Sequence, residues 1–279
     1  MPFHPSVARA LTRAIGGAES LERTDRLHFM DAGHGYDRFG LHPDFVAFGD
    51  AVVGKLYDRY FRVRSYGAHN IPADGPAILA CNHSGTLPID GAMLWIDVLR
   101  HTEPPRVPRP LADFFVSSIP GVTTLFARSG VASGSRGNAR ALLEAGELLM
   151  IFPEGVPGIG KPFSKRYQLQ TWTKGHCELA IRHGAPVIPV AIVGAEEQMP
   201  QIAQIPIPGP LPYIPIVASP LPLPVRYHIH YGEPIPLHLD YSPDDADDPA
   251  VVTAAAARVK AAVQELIRLG LEQREGVFT

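Results

Sequence analysis

Apolar runs of strand length, Ala77 to Cys81, Leu148 to Phe152 and Val187 to Val193, alternate with segments of helical period, and this alternation restricts the fold more than any other feature. A helical segment from Arg136 to Glu144 ends at Gly146 and leads into the second run; another, from Lys174 to Arg182, ends at Gly184 and leads into the third. Glycine supplies the left-handed residue that closes a helix. Runs that are apolar throughout lack the in-and-out alternation of a half-exposed strand, so they suit a parallel sheet covered on both faces. Arg226 to Tyr231 is a further strand candidate, and Pro249 to Leu271 reads as a long alanine-rich closing helix. The expected fold class is α/β: a mostly parallel sheet flanked by helices.

Upstream of the alternation, Ser6 to Ile15 reads as a short helix and Asp31 to Tyr36 as a loop. From Pro43 to Phe61, Phe45, Phe48, Val52, Leu56 and Tyr60 recur at helical spacing, with Lys55, Arg59, Arg62 and Arg64 at the far end. Such a helix either packs on the core or lies on a membrane surface with its cations toward anionic headgroups. The chain therefore divides into an N-terminal helical extension over 1–64, a candidate for membrane-surface contact, and an α/β domain over 65–279.

Composition removes several classes of function. The 279 residues are 46% hydrophobic and 19% charged, which is globular. A net charge of −3 gives no broad electrostatic footprint for nucleic acid. Cys81 and Cys177 lie too far apart for a disulfide scaffold or a zinc ribbon to organise the chain. Met1-Pro2-Phe3-His4 opens no basic segment followed by an apolar run, so the simplest expectation is an intracellular protein. The longest uncharged stretch is Gln198 to Val225, yet eight of the nineteen residues from Pro206 to Pro224 are proline, which excludes one regular transmembrane helix. Its aliphatic residues Ile205, Ile207, Leu211, Ile214, Ile216, Leu221 and Leu223 make either an extended loop covering the core or a rigid apolar ledge. A ledge would enter one leaflet or line an acyl channel.

The chemistry-bearing residues cluster at strand ends. His83 follows the Ala77–Cys81 run at the edge where α/β sheets place ligands, and Asp90 falls in the first turn of the next helix. A histidine there can act as a general base on an alcohol, with the carboxylate fixing its tautomer; an aspartate in a first turn also complements the helix dipole without any catalysis. Three more blocks follow: Gly121 to Arg128, then Phe152-Pro153-Glu154-Gly155, then Val187-Ile188-Pro189-Val190. These four blocks in this order resemble the glycerolipid acyltransferase superfamily, the bacterial 1-acylglycerol-3-phosphate acyltransferases and their relatives, over about Gly67 to Ala195.

The resemblance implies a glycerol-3-phosphate acyltransferase-like fold and transfer of a fatty acyl group from acyl-CoA or acyl carrier protein to a lipid hydroxyl. No tightly bound cofactor and no metal are expected. It also implies a cytoplasmic protein peripherally attached to the membrane and engaged in phospholipid biosynthesis. Carried over residue by residue, His83 is the general base and Asp90 its orienting partner. Asn82, Arg128, Glu154, Gly155, Lys161 and Pro189 form the implied substrate-binding set: Arg128 holds an anionic part of a substrate, Glu154 organises the acceptor side, Gly155 lets the backbone approach, and Pro189 shapes the pocket wall. Backbone amides of Ser84 to Thr86, or around Gly155, are candidate oxyanion donors.

Two departures bear on the acceptor. Six residues, Ser84 to Ile89, separate His83 from Asp90 where the family's commonest block has four, and Pro88 stands where the carboxylate normally falls. That spacing resembles the branch nearer to neutral-glyceride acyltransferases. Val156-Pro157 replaces the Thr-Arg that commonly follows the Phe-Pro-Glu-Gly block, so Lys161, Lys165 and Arg166 are the substitute cations for an acceptor phosphate, or else ordinary surface charges.

Competing motifs fail on mechanics. Gly155 to Lys161 has P-loop spacing, but Pro162 removes the Mg²⁺-binding hydroxyl, and Pro157 and Pro162 each delete a cradling amide. Gly130 to Gly134 places its serine one position late for a nucleophile elbow. His228 and His230 share a strand face but lack a third ligand nearby, which favours a semi-buried histidine pair. His176 and His183 read as ordinary helix positions. Two alternatives to acyl transfer stand beside it: a thioester or lipid-ester hydrolase using the same base, and a non-catalytic lipid-binding module.

Overall fold

The computed structural model describes residues 4–84, 87–112, 122–207 and 213–279. Three helices come first: α1 (Pro5–Ala14), α2 (Ala18–Thr24) and α3 (Pro43–Lys55). The main sheet is built from β1 (Arg64–Tyr66), β2 (Ala77–Cys81), β3 (Arg109–Ala112), β4 (Ala132–Ser133), β5 (Leu148–Ile151), β6 (Val187–Val193) and β9 (His228–Tyr231). Between β6 and β9, β7 (Gln201–Pro206) and β8 (Tyr213–Val217) pair only with each other among the described residues. Around the sheet lie α4 (Ile89–His101), α5 (Val122–Arg128), α6 (Arg136–Glu144), α7 (Val156–Ile159), α8 (Gly175–Arg182), α9 (Ala195–Gln198), α10 (Leu237–Asp240) and α11 (Pro249–Gln273).

Strand order in the main sheet is β1-β9-β6-β2-β5-β3-β4. Every pairing is parallel except β6 with β9. Two of the three apolar runs read from the sequence, β2 and β6, are its neighbouring central strands, and every residue in both is buried. Alternate residues feed two cores, as the period of two requires. Leu79, Cys81, Ile188, Val190 and Ile192 pack with Met93, Leu94 and Ile96 of α4. Ile78, Ala80, Val187, Ala191 and Val193 pack with Leu142 of α6, Ile181 of α8 and Val259 of α11. Both faces are covered, which is why these strands read as continuous apolar runs.

The N-terminal extension is fastened to this body by buried polar groups. Asp50 of α3, fully buried, is held by Arg23 of α2 and by Arg100 of α4 at 2.8 Å. Beyond Lys55 the helix widens into a π-helical turn over Leu56–Tyr60. There Tyr57 donates to Asp97 of α4 at 2.5 Å, and Asp97 also accepts from Ser65 at 2.8 Å and Tyr231 at 2.7 Å. One buried carboxylate thus joins the extension, α4, β1 and β9. The apolar stripe of α3 divides: Phe45 and Val46 are buried in the core, whereas Val52, Leu56 and Tyr60 are exposed.

The proline-rich segment departs from the extended-loop expectation. β7 and β8 pair as an antiparallel ribbon, and Ile202, Ile205, Ile214 and Ile216 are exposed rather than laid over the core, while Leu211 lies outside the described residues. Proline is excluded from central strands because it lacks the donor, but an isolated ribbon has outward-pointing nitrogens on both edges where that donor is not needed. The histidine pair of β9 sits in the interior beside Tyr66, whose ring stacks on His230 at 4.5 Å. Burial lowers both pKa values, that of His228 to about 4, so both are neutral near pH 7. Among the described residues no group of three His, Cys, Asp or Glu side chains is placed to hold a metal.

Candidate active site

Two elements converge on His83. It lies two residues past β2, and Asp90 is the second residue of α4, so the strand end and the helix start bring them together across the longer spacing. His83 Nδ1 stands 2.7 Å from Asp90 Oδ2. The same oxygen accepts from the Ser84 amide at 2.9 Å, while Oδ1 accepts from the Gly91 amide at 2.7 Å. Asp90 is completely buried, with both oxygens committed. A buried carboxylate surrounded by donors holds the imidazole with its proton on Nδ1 and the lone pair on Nε2. Phe152 flanks the ring with centroids 4.3 Å apart, and the His83 side chain keeps 17% of its surface exposed.

The residues beside this pair act on backbone. Asn82, fully buried, accepts from the Ile192 amide at 2.7 Å and donates to the Ile192 carbonyl at 3.1 Å. Its side chain thereby extends the β2–β6 ladder past the strand end and fixes where His83 emerges. Glu154 accepts from the His83 amide at 3.2 Å through Oε1 and from the Gln170 amide at 2.8 Å through Oε2. Gly155 has φ +55° and ψ −146°, a conformation essentially restricted to glycine, and its amide donates to the Phe152 carbonyl. The Ser84 and Gly155 amides, two of the oxyanion donors expected from sequence, are therefore engaged within the fold, and the other two expected with Ser84, those of Gly85 and Thr86, lie outside the described residues.

Lys161 is only 7% exposed, and its Nζ lies 2.9 Å from Glu196 and 3.6 Å from Glu154. It is not the ordinary surface charge that composition would suggest, because two buried carboxylates draw it inward. Burial raises the pKa of Glu196, and Lys161 counters that shift by stabilising the charged form. Arg128, at the end of α5, donates to the Gly40 carbonyl at 3.1 Å and stacks over Tyr36 at 3.6 Å. Both contacts are made to the loop before α3. Pro189 pairs beside Ala80, three residues back from His83. It lies toward Gly232 and Leu266 of α11, away from the α4 face that carries Asp90. The structure thus gathers Asn82, His83, Asp90, Glu154, Gly155 and Lys161 into one cluster, with Arg128 and Pro189 held by other partners.

Sequence reasoning passed over Gly158. A side chain there would put Cβ 2.8 Å from Glu154 Cβ, 3.0 Å from His83 Cβ and 3.1 Å from the His83 carbonyl oxygen. The α7 turn therefore packs directly against the base, and only glycine permits that approach. The signal was the glycine-rich run from Gly155 to Gly160, which failed as a phosphate loop and marks close backbone contact instead.

The acyltransferase family profile matches residues 62–193. An uncharacterized protein of Mycobacterium tuberculosis is 36% identical over 260 residues, spanning 87% of this chain and 71% of its own length. The chicken "DGAT1/2-independent enzyme synthesizing storage lipids" is 30% identical over 227 residues, covering 77% of this chain and 63% of that protein. The crystal structure of the 1-acyl-sn-glycerophosphate acyltransferase PlsC from Thermotoga maritima shares the fold: TM-score 0.54 and 19% identity, covering 98% of this chain and all of that one.

Proposed function

The chain belongs to the glycerolipid acyltransferase superfamily, and from that premise we propose that it moves a fatty acyl group from a thioester donor, acyl-CoA or acyl carrier protein, to the free hydroxyl of a neutral glyceride. The observation that carries this reading is the His83–Asp90 pair: Nδ1 stands 2.7 Å from a buried carboxylate, on a ring that keeps part of its surface exposed. Nε2 takes the proton from the acceptor hydroxyl as its oxygen attacks the thioester carbonyl. Asp90 stabilises the imidazolium that forms. Collapse of the tetrahedral intermediate breaks the C–S bond, and the departing thiolate recovers the proton from His83. Asn82, Glu154 and Gly158 hold His83 in place through its backbone and Cβ.

A neutral acceptor is favoured by where the cations go. Lys161 is neutralised by Glu154 and Glu196, and Arg128 is committed to Tyr36 and Gly40; of the other two candidate cations, Arg166 lies over Phe163 and 4.0 Å from Glu197, and Lys165 is exposed. The storage-lipid enzyme among the relatives points the same way. Attachment is to a membrane surface, where such acceptors reside; among the described residues no helix is long and apolar enough to cross one.

The test is a mass-spectrometric product screen in lipid micelles, with mixed acyl-CoAs and acyl carrier protein thioesters as donors. Acceptors are lysophosphatidate, lysophospholipids, monoacylglycerol and diacylglycerol, and His83→Ala runs alongside. The expected result is a new neutral ester that vanishes in the variant. Esterification confined to lysophosphatidate would overturn the acceptor; free fatty acid with no new ester would make the protein a hydrolase.

A further inference from the structure

The β7–β8 ribbon has two unlike faces. Its register sets Gln204 opposite Pro215 and Pro206 opposite Tyr213, with Ile205 opposite Ile214 and Ala203 opposite Ile216. A period of two therefore places Gln204 and Tyr213 on one face and Ile205, Ile214 and Ile216 on the other. The first face is held to the protein through the buried Gln201 and Tyr213, while Gln204 and Pro206 on it are exposed. Gln201 and Gln204 both donate to the Gly160 carbonyl, Gln201 at 3.0 Å, and a Cβ on Gly160 would fall 2.8 Å from the Tyr213 hydroxyl. The second face is open: Ile205, Ile214 and Ile216 are 51%, 49% and 37% exposed. A bulge at Ile202 turns a further isoleucine outward, 63% exposed.

Three observations identify what covers the open face. No residue from Gln198 to Val225 is charged, so nothing on the ribbon resists an apolar medium. Pro206 and Pro215 occupy positions whose nitrogens point out of the ribbon. Proline there removes the edge donors that another strand would need, and that an apolar surface would leave unpaired. Finally, the segment that follows β8 meets the π-helical turn, where Tyr60 donates to the Pro222 carbonyl at 2.5 Å. Leu56 and Leu221 are exposed there, and so are the cations Lys55 and Arg59. An apolar blade flanked by a tyrosine and cations fits the boundary between anionic headgroups and acyl chains.

We propose that the β7–β8 ribbon is the membrane-contacting element of this protein, laying Ile202, Ile205, Ile214 and Ile216 into the headgroup–acyl boundary of a bilayer containing anionic lipid. Its other face, through Gly160 and the α7 turn, connects to Gly158 against His83. The ribbon thereby holds the base at the surface where a lipid hydroxyl arrives. This rests on the acyltransferase reading for its purpose, but not for its test.

The experiment uses the full chain with phosphatidylcholine vesicles, with and without phosphatidylglycerol. Flotation of the wild type is compared with the Ile205→Asp/Ile214→Asp double variant and with Ile205→Val/Ile214→Val, the fold of each checked by circular dichroism. The Asp pair is expected to weaken vesicle binding roughly tenfold or more, and the Val pair to bind as wild type. A separate Ile214→Trp variant should be quenched by brominated lipid. Wild type that floats while Ile214→Trp stays unquenched would place the contact elsewhere and overturn the proposal, as would wild type that does not float. A wild-type dimer made monomeric by the Asp pair, with flotation unchanged, would make the ribbon a self-interface and overturn it too. Acyl transfer to a water-soluble short-chain acceptor is expected to survive in the Asp pair. Absence of transfer from every protein, with flotation still ribbon-dependent, would refute the acyltransferase reading and leave this one standing.

Discussion

Gly158→Ala tests whether the α7 turn positions the base. The added Cβ would meet Glu154 Cβ at 2.8 Å and His83 Cβ at 3.0 Å, against an ordinary contact limit of 3.4 Å. Glu154 must then retreat by about 0.6 Å and His83 by about 0.4 Å, the differences between those values. Neither clashing atom is the far end of a flexible side chain, so the backbone has to carry the shift. Glu154 and His83 are also joined by the amide-to-carboxylate bond at 3.2 Å, so displacing one disturbs the other. Overpacking of this kind costs about 1–3 kcal/mol of stability. The larger effect is on rate, because a displacement approaching 1 Å at a reacting group costs roughly 10²-fold. Initial rates at saturating donor and acceptor should therefore fall about ten- to a hundredfold, with a melting temperature only a few degrees lower. Gly175→Ala is the control, since a Cβ there meets nothing within 4 Å. Unchanged kcat in Gly158→Ala, with its structure intact, would refute the positioning argument.

Asp90→Asn keeps the shape of the side chain but sets an NH2 group against either the Gly91 amide or the paired donors from His83 and Ser84. Its kcat should fall by about 10²–10⁴ while circular dichroism is unchanged; retention of a third of wild-type turnover would remove Asp90 from the mechanism. Lys161→Met leaves Glu154 and Glu196 buried without their cation, and should cost about 3–5 kcal/mol at neutral pH. Glu196 is already raised above its ordinary value of 4.5, so its folded form binds protons more readily than the unfolded chain. Protonation therefore relieves the variant, and its melting-temperature deficit should narrow as pH falls from neutral toward 5; a deficit that widens would contradict this. His176 is buried beside Trp172 with its pKa pushed down to about 4, so the fold favours the neutral ring. The stability this preserves is complete above the unfolded value of 6.5 and declines by ~3 kcal/mol as pH falls to about 4. His176→Leu should flatten the melting temperature over that window, and an unaltered acid dependence would show that other groups control it.

The parts of the fold legible in the sequence were those whose burial leaves a local signature. β2 and β6 are apolar throughout because helices cover both faces, and both occupy the residues the runs suggested. α6 occupies the expected residues as well, and Gly146 closes it with φ +75°. Two of the missed strands begin with a charge, β1 at Arg64 and β3 at Arg109, and a third, β4, is only the two residues Ala132–Ser133. Arg109 is 1% exposed and held by Asp37 at 2.7 Å and the Gly130 carbonyl at 3.0 Å. Partners so distant in sequence give no local sign that a buried strand begins with arginine. Proline density hid the β7–β8 ribbon for a different reason, since the rule against proline applies to strands with neighbours on both sides.

The site divides along the same line. His83 and Asp90 were legible because a strand end and a helix start are local features that place them. The roles of Asn82, Glu154 and Lys161 were not, since each depends on a partner from another segment: Ile192, Gln170 and Glu196. Those partners change what the residues can do. Asn82 is held by one peptide unit, Glu154 by two amides, and Lys161 by two carboxylates. A buried polar group fixed in this way is oriented toward its protein partners rather than toward an incoming substrate. On the proposed function, His83 Nε2 is then the polar atom of this cluster left to meet the acceptor, and selection among acceptors falls to apolar surface. That favours a glyceride over a phosphorylated lipid, because a phosphate would need a cation, and the buried one here already has two carboxylates to neutralise.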